Sequence, residues 1–121
     1  MKKLMTLAVL ISLGACSDRD DEVTVPEPDG AEHYALYCAG CHNPGPGHGG
    51  TMLLAEKGAP VPSLIGREDL QYDYLHAVVR NGLIEMPPFR PTELSDEEIE
   101  EIYEHIMSQE LPANAGNPAS S

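Results

Sequence analysis

The chain has 121 residues and a formal net charge of −13, with 20 acidic against 7 basic residues. This length accommodates one small domain with appendages, and the acidity excludes a nucleic-acid-binding protein, because contacts to phosphates require a positively charged surface. Aromatic residues are few, with no Trp, one Phe and five Tyr. The hydrophobic core of such a domain would be marginal without a further apolar component.

Residues 1–15 have the pattern of an export signal. Two lysines precede an apolar run over residues 4–13, which is too short to span a bilayer as a helix. The run ends in Leu-Gly-Ala-Cys at residues 13–16, which resembles the lipobox of bacterial lipoproteins. That resemblance implies cleavage before Cys16 and lipidation of its thiol. An ordinary secretory signal with an unrelated cysteine is the alternative.

The segment that follows Cys16 is acidic and proline-bearing and lacks hydrophobic periodicity, which is typical of a flexible tether. Thirteen flexible residues span about 20 Å root-mean-square. We therefore predict a lipoprotein signal peptide over 1–15, a lipidated acidic tether over 16–29, a domain over 30–111 and a disordered tail over 112–121. The lipid would hold the exported domain at the periplasmic face of a bacterial membrane, which is either the inner or the outer membrane.

The segment Cys38-Ala39-Gly40-Cys41-His42 is the attachment signature of a c-type haem. Two cysteines three positions apart lie on one face of a helix, so both sulfurs can reach the vinyl groups along one porphyrin edge. His42 follows directly as the candidate proximal ligand of the iron. The alternatives are a zinc half-site and a redox-active cysteine pair. Zinc would need a second ligand pair, and a redox pair usually lies in a βαβ pattern; neither accompanies this motif.

The remaining pattern predicts an all-α fold of three to five helices wrapped around one covalently attached haem. Asp29 and Glu32 form a capping box for a first helix that begins at Gly30 and leads into the haem motif. The segment 43–50 is rich in glycine and proline and predicts a loop. Thr51 is placed to cap a short helix after this loop.

Two further helices are predicted in the second half of the domain. The first carries apolar residues on one face and would end at Gly82. The second opens with a capping box of Ser95 and Glu98. Its predicted buried face consists of Ile99, Ile102, Tyr103 and Ile106.

Residues 30–109 resemble a class I c-type cytochrome. Besides the haem motif, the matching residues are Gly30 and Tyr34, which lie eight and four positions before the first haem cysteine, and the segment Asn-Gly-x-x-x-Met-Pro at residues 81–87. The resemblance implies one haem c, close packing of Gly30 against the last helix, and Met86 as the sixth ligand of the iron.

A further segment of the family, Gly-Pro-x-Leu, is matched in part by Pro62 and the leucine two positions later. The resemblance implies that the Pro62 carbonyl accepts the Nδ1 proton of His42 and raises the basicity of this ligand. The last helix departs from the family, because His105 stands where an aromatic residue is usual. Either Tyr103 compensates for it or His105 packs flat against Gly30.

Met86 also stands out without the resemblance. A lone methionine is usually part of a core, but Met86 lies in a loop that prolines stiffen, and this favours a held thioether ligand. The competing candidates for the sixth ligand are Met52, His48 and His76. His33 is expected to be an exposed residue of the first helix.

With both axial positions filled, the iron would have no open site, and its chemistry would be limited to gaining or losing one electron. The segment 79–87 is also similar to cytochrome subunits that serve flavin-dependent dehydrogenases of phenolic or alcohol substrates. We therefore predict a membrane-tethered electron carrier between a dehydrogenase donor, with a flavoenzyme as one candidate, and an oxidase or other cytochrome as acceptor. It is expected to be no enzyme itself.

Two other functions stay open at this point. A haem enzyme or gas sensor would use a labile distal methionine, and a structural subunit of a larger dehydrogenase would transfer no electrons by itself. Cleavage of the leader would remove two of the seven basic residues and leave a net charge of −15. This acidity favours a redox partner with a basic docking surface, or it serves solubility alone.

Overall fold

The computed structural model describes residues 26–113, which form five helices. These are α1 (Gly30–Tyr37), α2 (Ala39–His42), α3 (Gly49–Glu56), α4 (Tyr72–Asn81) and α5 (Asp96–Ser108). Among the described residues, β-type pairing is limited to an isolated bridge between Leu83 and Met86. The prediction of an all-α fold is confirmed. The predicted signal peptide, Cys16 and most of the predicted tether and tail lie outside the described residues.

Helices α1 and α5 begin as predicted, each with a complete capping box. The Asp29 carboxylate accepts hydrogen bonds from the backbone N–H groups of Ala31 (2.9 Å) and Glu32 (3.0 Å), and the Glu32 carboxylate accepts one from the Asp29 N–H. Ser95 and Glu98 make the same reciprocal pair at the start of α5. These caps satisfy backbone donors that would otherwise lack a partner in the first turn.

Helix α3 begins three residues earlier than predicted, at Gly49, and Thr51 does not cap it. The Thr51 hydroxyl instead donates a hydrogen bond to the Asn43 carbonyl (2.9 Å), and the residue is fully buried. The prediction was wrong because this carbonyl, which lies just after the haem motif, outcompetes the local cap. His48 occupies the cap position, and its Nδ1 lies 3.0 Å from the Gly40 carbonyl oxygen.

The first and last helices pack together, and Gly30 is the point of closest approach. A Cβ atom at this position would overlap the backbone carbonyl of Glu101 on α5, so a side chain cannot be accommodated without moving a helix.

Helix α4 also packs on α5, while α2 packs on α1 and α3. The buried core consists of Tyr34, Leu64, Ile65, Leu70, Leu75, Val79, Leu94, Ile99, Ile102 and Ile106. The predicted apolar face of α5 is confirmed, with Tyr103 half-buried beside it.

His33 is buried, with 5% of its surface exposed, and the prediction of an exposed residue was wrong. Its Nε2 lies 3.4 Å from a carboxylate oxygen of Glu98, and its Nδ1 lies 3.5 Å from one of Glu101. Because α1 packs on a face of α5 that carries carboxylates, the polar ring of His33 is buried beside polar groups and not among apolar side chains alone.

The aromatic side chains of α1 and α5 also meet. The centroids of the Tyr34 and His105 rings lie 5.3 Å apart. His105 therefore packs on Tyr34, whereas one of the two predicted alternatives placed it against Gly30. The Tyr103 hydroxyl donates a hydrogen bond to the Leu70 carbonyl (3.2 Å), which ties α5 to the segment before α4.

No helix among residues 26–113 has the combined length and apolarity that crossing a membrane requires.

Candidate haem site

The haem motif forms a tight helical turn that continues from α1. Cys38 ends α1 by donating its N–H to the Tyr34 carbonyl (2.9 Å), and its own carbonyl accepts the N–H groups of Cys41 (3.1 Å) and His42 (2.9 Å). This turn places the two cysteines on one face, as the sequence predicts. Both carry free thiols; that of Cys38 is half-buried and that of Cys41 is exposed.

The Cys38 thiol is unlike that of a redox-active pair. Burial, and secondarily the neighbouring Cys41, raise the pKa of Cys38 to about 11. Disulfide exchange requires a thiolate, which is why catalytic CxxC pairs have a lowered thiol pKa. A protonated, half-buried thiol therefore argues against the redox interpretation of this motif.

His42 has the environment of an imidazole that is neutral at physiological pH. Burial, and secondarily the positive charge of Arg67, lower the pKa of His42. A neutral imidazole is the form that binds a metal ion. The predicted ligand therefore needs no deprotonation to bind iron.

The hydrogen bond predicted between His42 and Pro62 is absent from the structure. Nδ1 of His42 is buried and has no hydrogen-bond partner, so the Pro62 carbonyl does not accept its proton, although Pro62 itself is buried. The segment approaches His42 through another group, since the N–H of Leu64 donates to the His42 carbonyl (3.3 Å). The expected segment thus lies beside His42, with a different backbone contact.

Two residues that the sequence did not single out hold the chain around His42. Gly50 of α3 packs on the imidazole, where a Cβ atom would stand 2.7 Å from Cε1 of His42. Asn43, directly after His42, accepts a hydrogen bond from the Tyr34 hydroxyl on its side-chain oxygen (3.0 Å). Gly50 is one of several glycines in its segment, and no local signal separates it from the others.

Met86 closes a tight turn between α4 and α5. The backbone N–H of Leu83 donates to the Met86 carbonyl (3.1 Å), and the N–H of Met86 donates to the Leu83 carbonyl (2.9 Å). Met86 is half-buried, packs against the hydrophobic core and lines an open cavity of about 410 Å³ formed by residues 81–88. Its thioether is thus held in place yet borders open space.

The competing candidates for the sixth ligand have other contacts. His76 Nε2 lies 2.8 Å from the Asp96 carboxylate, and His48 interacts with the Gly40 carbonyl beside the haem motif. Met52 is exposed on α3. Met86 therefore stays the predicted distal ligand.

The residues fit a covalently attached haem. Two free thiols share one face of a turn, a neutral imidazole follows them, and Cys38 and Met86 pack against the same hydrophobic core. Within the described part of the chain, no three His, Cys, Asp or Glu side chains come together as ligands for a bare metal ion. When bound, haem c supplies a one-electron couple at its iron. Cys38 and Cys41 would attach it, and His42 and Met86 would be its axial ligands.

Comparison with known proteins identifies the family. Residues 26–106 match the family described as "Cytochrome C oxidase, cbb3-type, subunit III". The chain belongs to this family of c-type cytochromes. It is 34% identical over 89 residues to the 4-cresol dehydrogenase [hydroxylating] cytochrome c subunit of Pseudomonas putida, a match that covers 74% of this chain and 66% of that relative. The chain thus covers slightly less than two thirds of the length of that cytochrome subunit.

The cytochrome also resembles a solved structure. One chain of the crystal structure of p-cresol methylhydroxylase with substrate bound superposes with a TM-score of 0.52 at 30% identity, covering 69% of this cytochrome and 95% of that chain. The family and these relatives show an electron-transfer cytochrome, and the family implies haem c as its cofactor. The attachment and ligand residues stay predictions from the motif and the geometry.

Proposed function

We propose that this cytochrome carries one electron at a time from a flavin-dependent dehydrogenase of phenolic substrates to an oxidase or another cytochrome, tethered to a bacterial membrane through a lipid on Cys16. The observation that carries the proposal is the candidate pair of axial ligands, the neutral imidazole of His42 and the held thioether of Met86. Two bound axial ligands leave no site for a substrate on the iron, so electron transfer is the chemistry that such a haem supports.

The identity of the donor is supported by the relatives. The 34% identical protein is named as a cytochrome c subunit of 4-cresol dehydrogenase, and the structural relative comes from p-cresol methylhydroxylase. A phenol-oxidising dehydrogenase is therefore the proposed class of donor for this chain.

The surface beside Met86 supports docking of a protein partner. Leu83 and Ile84 are 47% and 70% exposed at the turn that carries Met86. The chain as a whole carries a formal net charge of −13. An exposed apolar patch on an acidic protein suits a partner with basic residues around its own docking site, because opposite charges accelerate the encounter.

A Met86→Ala variant tests the ligand pair. The oxidised wild-type cytochrome should show the weak far-red charge-transfer band of methionine–iron coordination, and the variant should lose this band, show a lower reduction potential and bind carbon monoxide rapidly when reduced. An unchanged spectrum and potential would exclude Met86 as ligand. Rapid carbon monoxide binding by the reduced wild type would favour a gas-binding haem instead.

Stopped-flow reduction tests the donor. A flavin-dependent dehydrogenase turning over 4-cresol should reduce the oxidised cytochrome, with a rate constant that falls as ionic strength rises. Failure to reduce it at any ionic strength would overturn the proposed donor.

A Cys16→Ser variant tests the lipid anchor. It should move the protein from the membrane fraction to the soluble fraction, and a protein that stays in the membrane fraction would overturn lipid anchoring.

A further inference from the structure

Arg80 connects three parts of the domain with one guanidinium group. It lies in the last turn of α4, and only 14% of its side chain is exposed. Its Nε and Nη2 both donate to one carboxylate oxygen of Asp96 on α5, at 3.1 and 2.5 Å, and its Nη1 donates to the carbonyl oxygen of Phe89 at 3.2 Å. The planar guanidinium can satisfy these acceptors simultaneously, which a lysine ammonium does less well.

The carbonyl that Arg80 holds belongs to the loop of the candidate distal ligand. This loop leaves α4 at Gly82, whose N–H donates to the Val78 carbonyl (2.8 Å), and returns at Phe89, whose N–H donates to the Val79 carbonyl (2.8 Å). Met86 lies between these two anchors. The prolines at 87 and 88 provide no N–H groups, so the contacts of Phe89 fix the position of the chain directly after Met86.

Asp96 is well placed to hold the guanidinium. It is the first residue of α5, where a negative charge is stabilised by the helix dipole. The same carboxylate oxygen lies 2.8 Å from His76 Nε2, so a second side chain from α4 fixes its orientation. Hydrogen bonding from Arg80, and then from His76, lowers the pKa of Asp96, which keeps the carboxylate ionised at neutral pH.

We propose that Arg80 is a positioning residue for the sixth haem ligand: by bonding the Phe89 carbonyl and the Asp96 carboxylate together, it keeps the Met86 thioether at the iron. This inference rests on the proposed function, in which Met86 is that ligand. A thioether is a weak ligand, so a small displacement of its loop shifts the balance towards an open distal site.

The test compares Arg80→Met with Arg90→Met in the haem-loaded cytochrome. Arg90 is a matched control, because its side chain is 78% exposed and pairs with Glu93. Arg80→Met should weaken the far-red methionine–iron band, lower the reduction potential and accelerate carbon monoxide binding to the reduced protein by roughly three- to tenfold, as expected for losing a charge-assisted hydrogen bond to a partly exposed partner. Arg90→Met should match the wild type in all three measurements.

Arg80→Lys and Asp96→Asn keep the proposal testable if Arg80→Met yields little folded protein. Arg80→Lys should restore part of the band, and Asp96→Asn should lie between the wild type and Arg80→Met. Unchanged band, potential and carbon monoxide binding in Arg80→Met, or in both other variants, would overturn the role of Arg80. The proposed function would then stand if Met86→Ala still removed the band, whereas an unchanged Met86→Ala spectrum would overturn both.

Discussion

Gly50 lies against the imidazole of His42 so closely that a Cβ atom would stand 2.7 Å from Cε1 and 2.9 Å from Nδ1 of the ring. The ring therefore has no room to turn towards α3. A helix that contributes nothing to the haem motif thus sets the orientation of the candidate proximal ligand.

Gly50→Ala should displace the His42 ring and weaken the domain. Overpacking of this kind costs about 1–3 kcal/mol, so the urea midpoint of the haem-loaded protein should fall and the electron paramagnetic resonance signal of its oxidised haem should shift. Gly49→Ala is the matched control, since no atom lies within 4 Å of a Cβ atom at that position. Equal stability and equal spectra in the two variants would contradict the packing argument.

Gly30→Ala should separate α1 from α5. The added methyl group would overlap the Glu101 carbonyl, and because backbone cannot move aside as a flexible side chain can, we expect a loss of about 1–3 kcal/mol or more. Urea unfolding followed by circular dichroism measures it. Ala31→Ser, on the exposed side of the same turn, should leave the free energy of unfolding within about 0.5 kcal/mol of the wild-type value. An equal free energy of unfolding in Gly30→Ala and Ala31→Ser would contradict the close packing.

Asp96→Asn should flatten the acid dependence of stability. The folded-state pKa of Asp96 lies below its ordinary value of 3.8, because Arg80 and His76 bond the ionised carboxylate. The unfolded chain then takes up this proton first, so the contribution to stability is complete above about pH 4 and is lost as the pH falls through the folded-state pKa.

Urea midpoints at pH 5 and pH 3 measure this effect, and the difference between them should be smaller in Asp96→Asn than in the wild type. Asp73→Asn, which removes an exposed carboxylate from the first turn of α4, serves as the control. An equal pH difference in the wild type and Asp96→Asn would show that the Asp96 contacts make no net contribution.

Removing the attachment cysteines should leave the domain largely unfolded. The core is built mainly from aliphatic side chains, with Tyr34 as its buried aromatic residue, and a small domain of this kind has little stability of its own. A Cys38→Ala/Cys41→Ala protein without haem is expected to show a weak far-UV helical signal and no sharp thermal transition. Cooperative melting with full helical signal would refute this expectation.

The elements that the sequence predicted correctly have local signals. Asp29 and Glu32 cap α1 within one turn, and Gly82 ends α4 with φ +72°, so the residues involved lie next to each other in the chain. The haem motif, whose role stays a prediction, is equally local. Such interactions can be predicted from the sequence because their two partners lie only a few positions apart in the chain.

The wrong predictions concern residues whose contacts are made with residues far away in the sequence. His33 is buried because α5 brings Glu98 and Glu101 to it, and no pattern within α1 encodes that encounter. Thr51 bonds the Asn43 carbonyl in place of its own helix start. The roles of Gly50 and Arg80 likewise depend on the packing of separate elements.

The packing of α1 against α5 has a consequence for the order of events during synthesis. The first and last helices of the domain are in contact, and Gly30 touches Glu101 some seventy positions later in the chain. A contact between residues so far apart in the chain closes a long loop, and closing it costs conformational entropy. The domain therefore cannot close until α5 has been made, and until then the Cys38 and Cys41 thiols lie on an open chain.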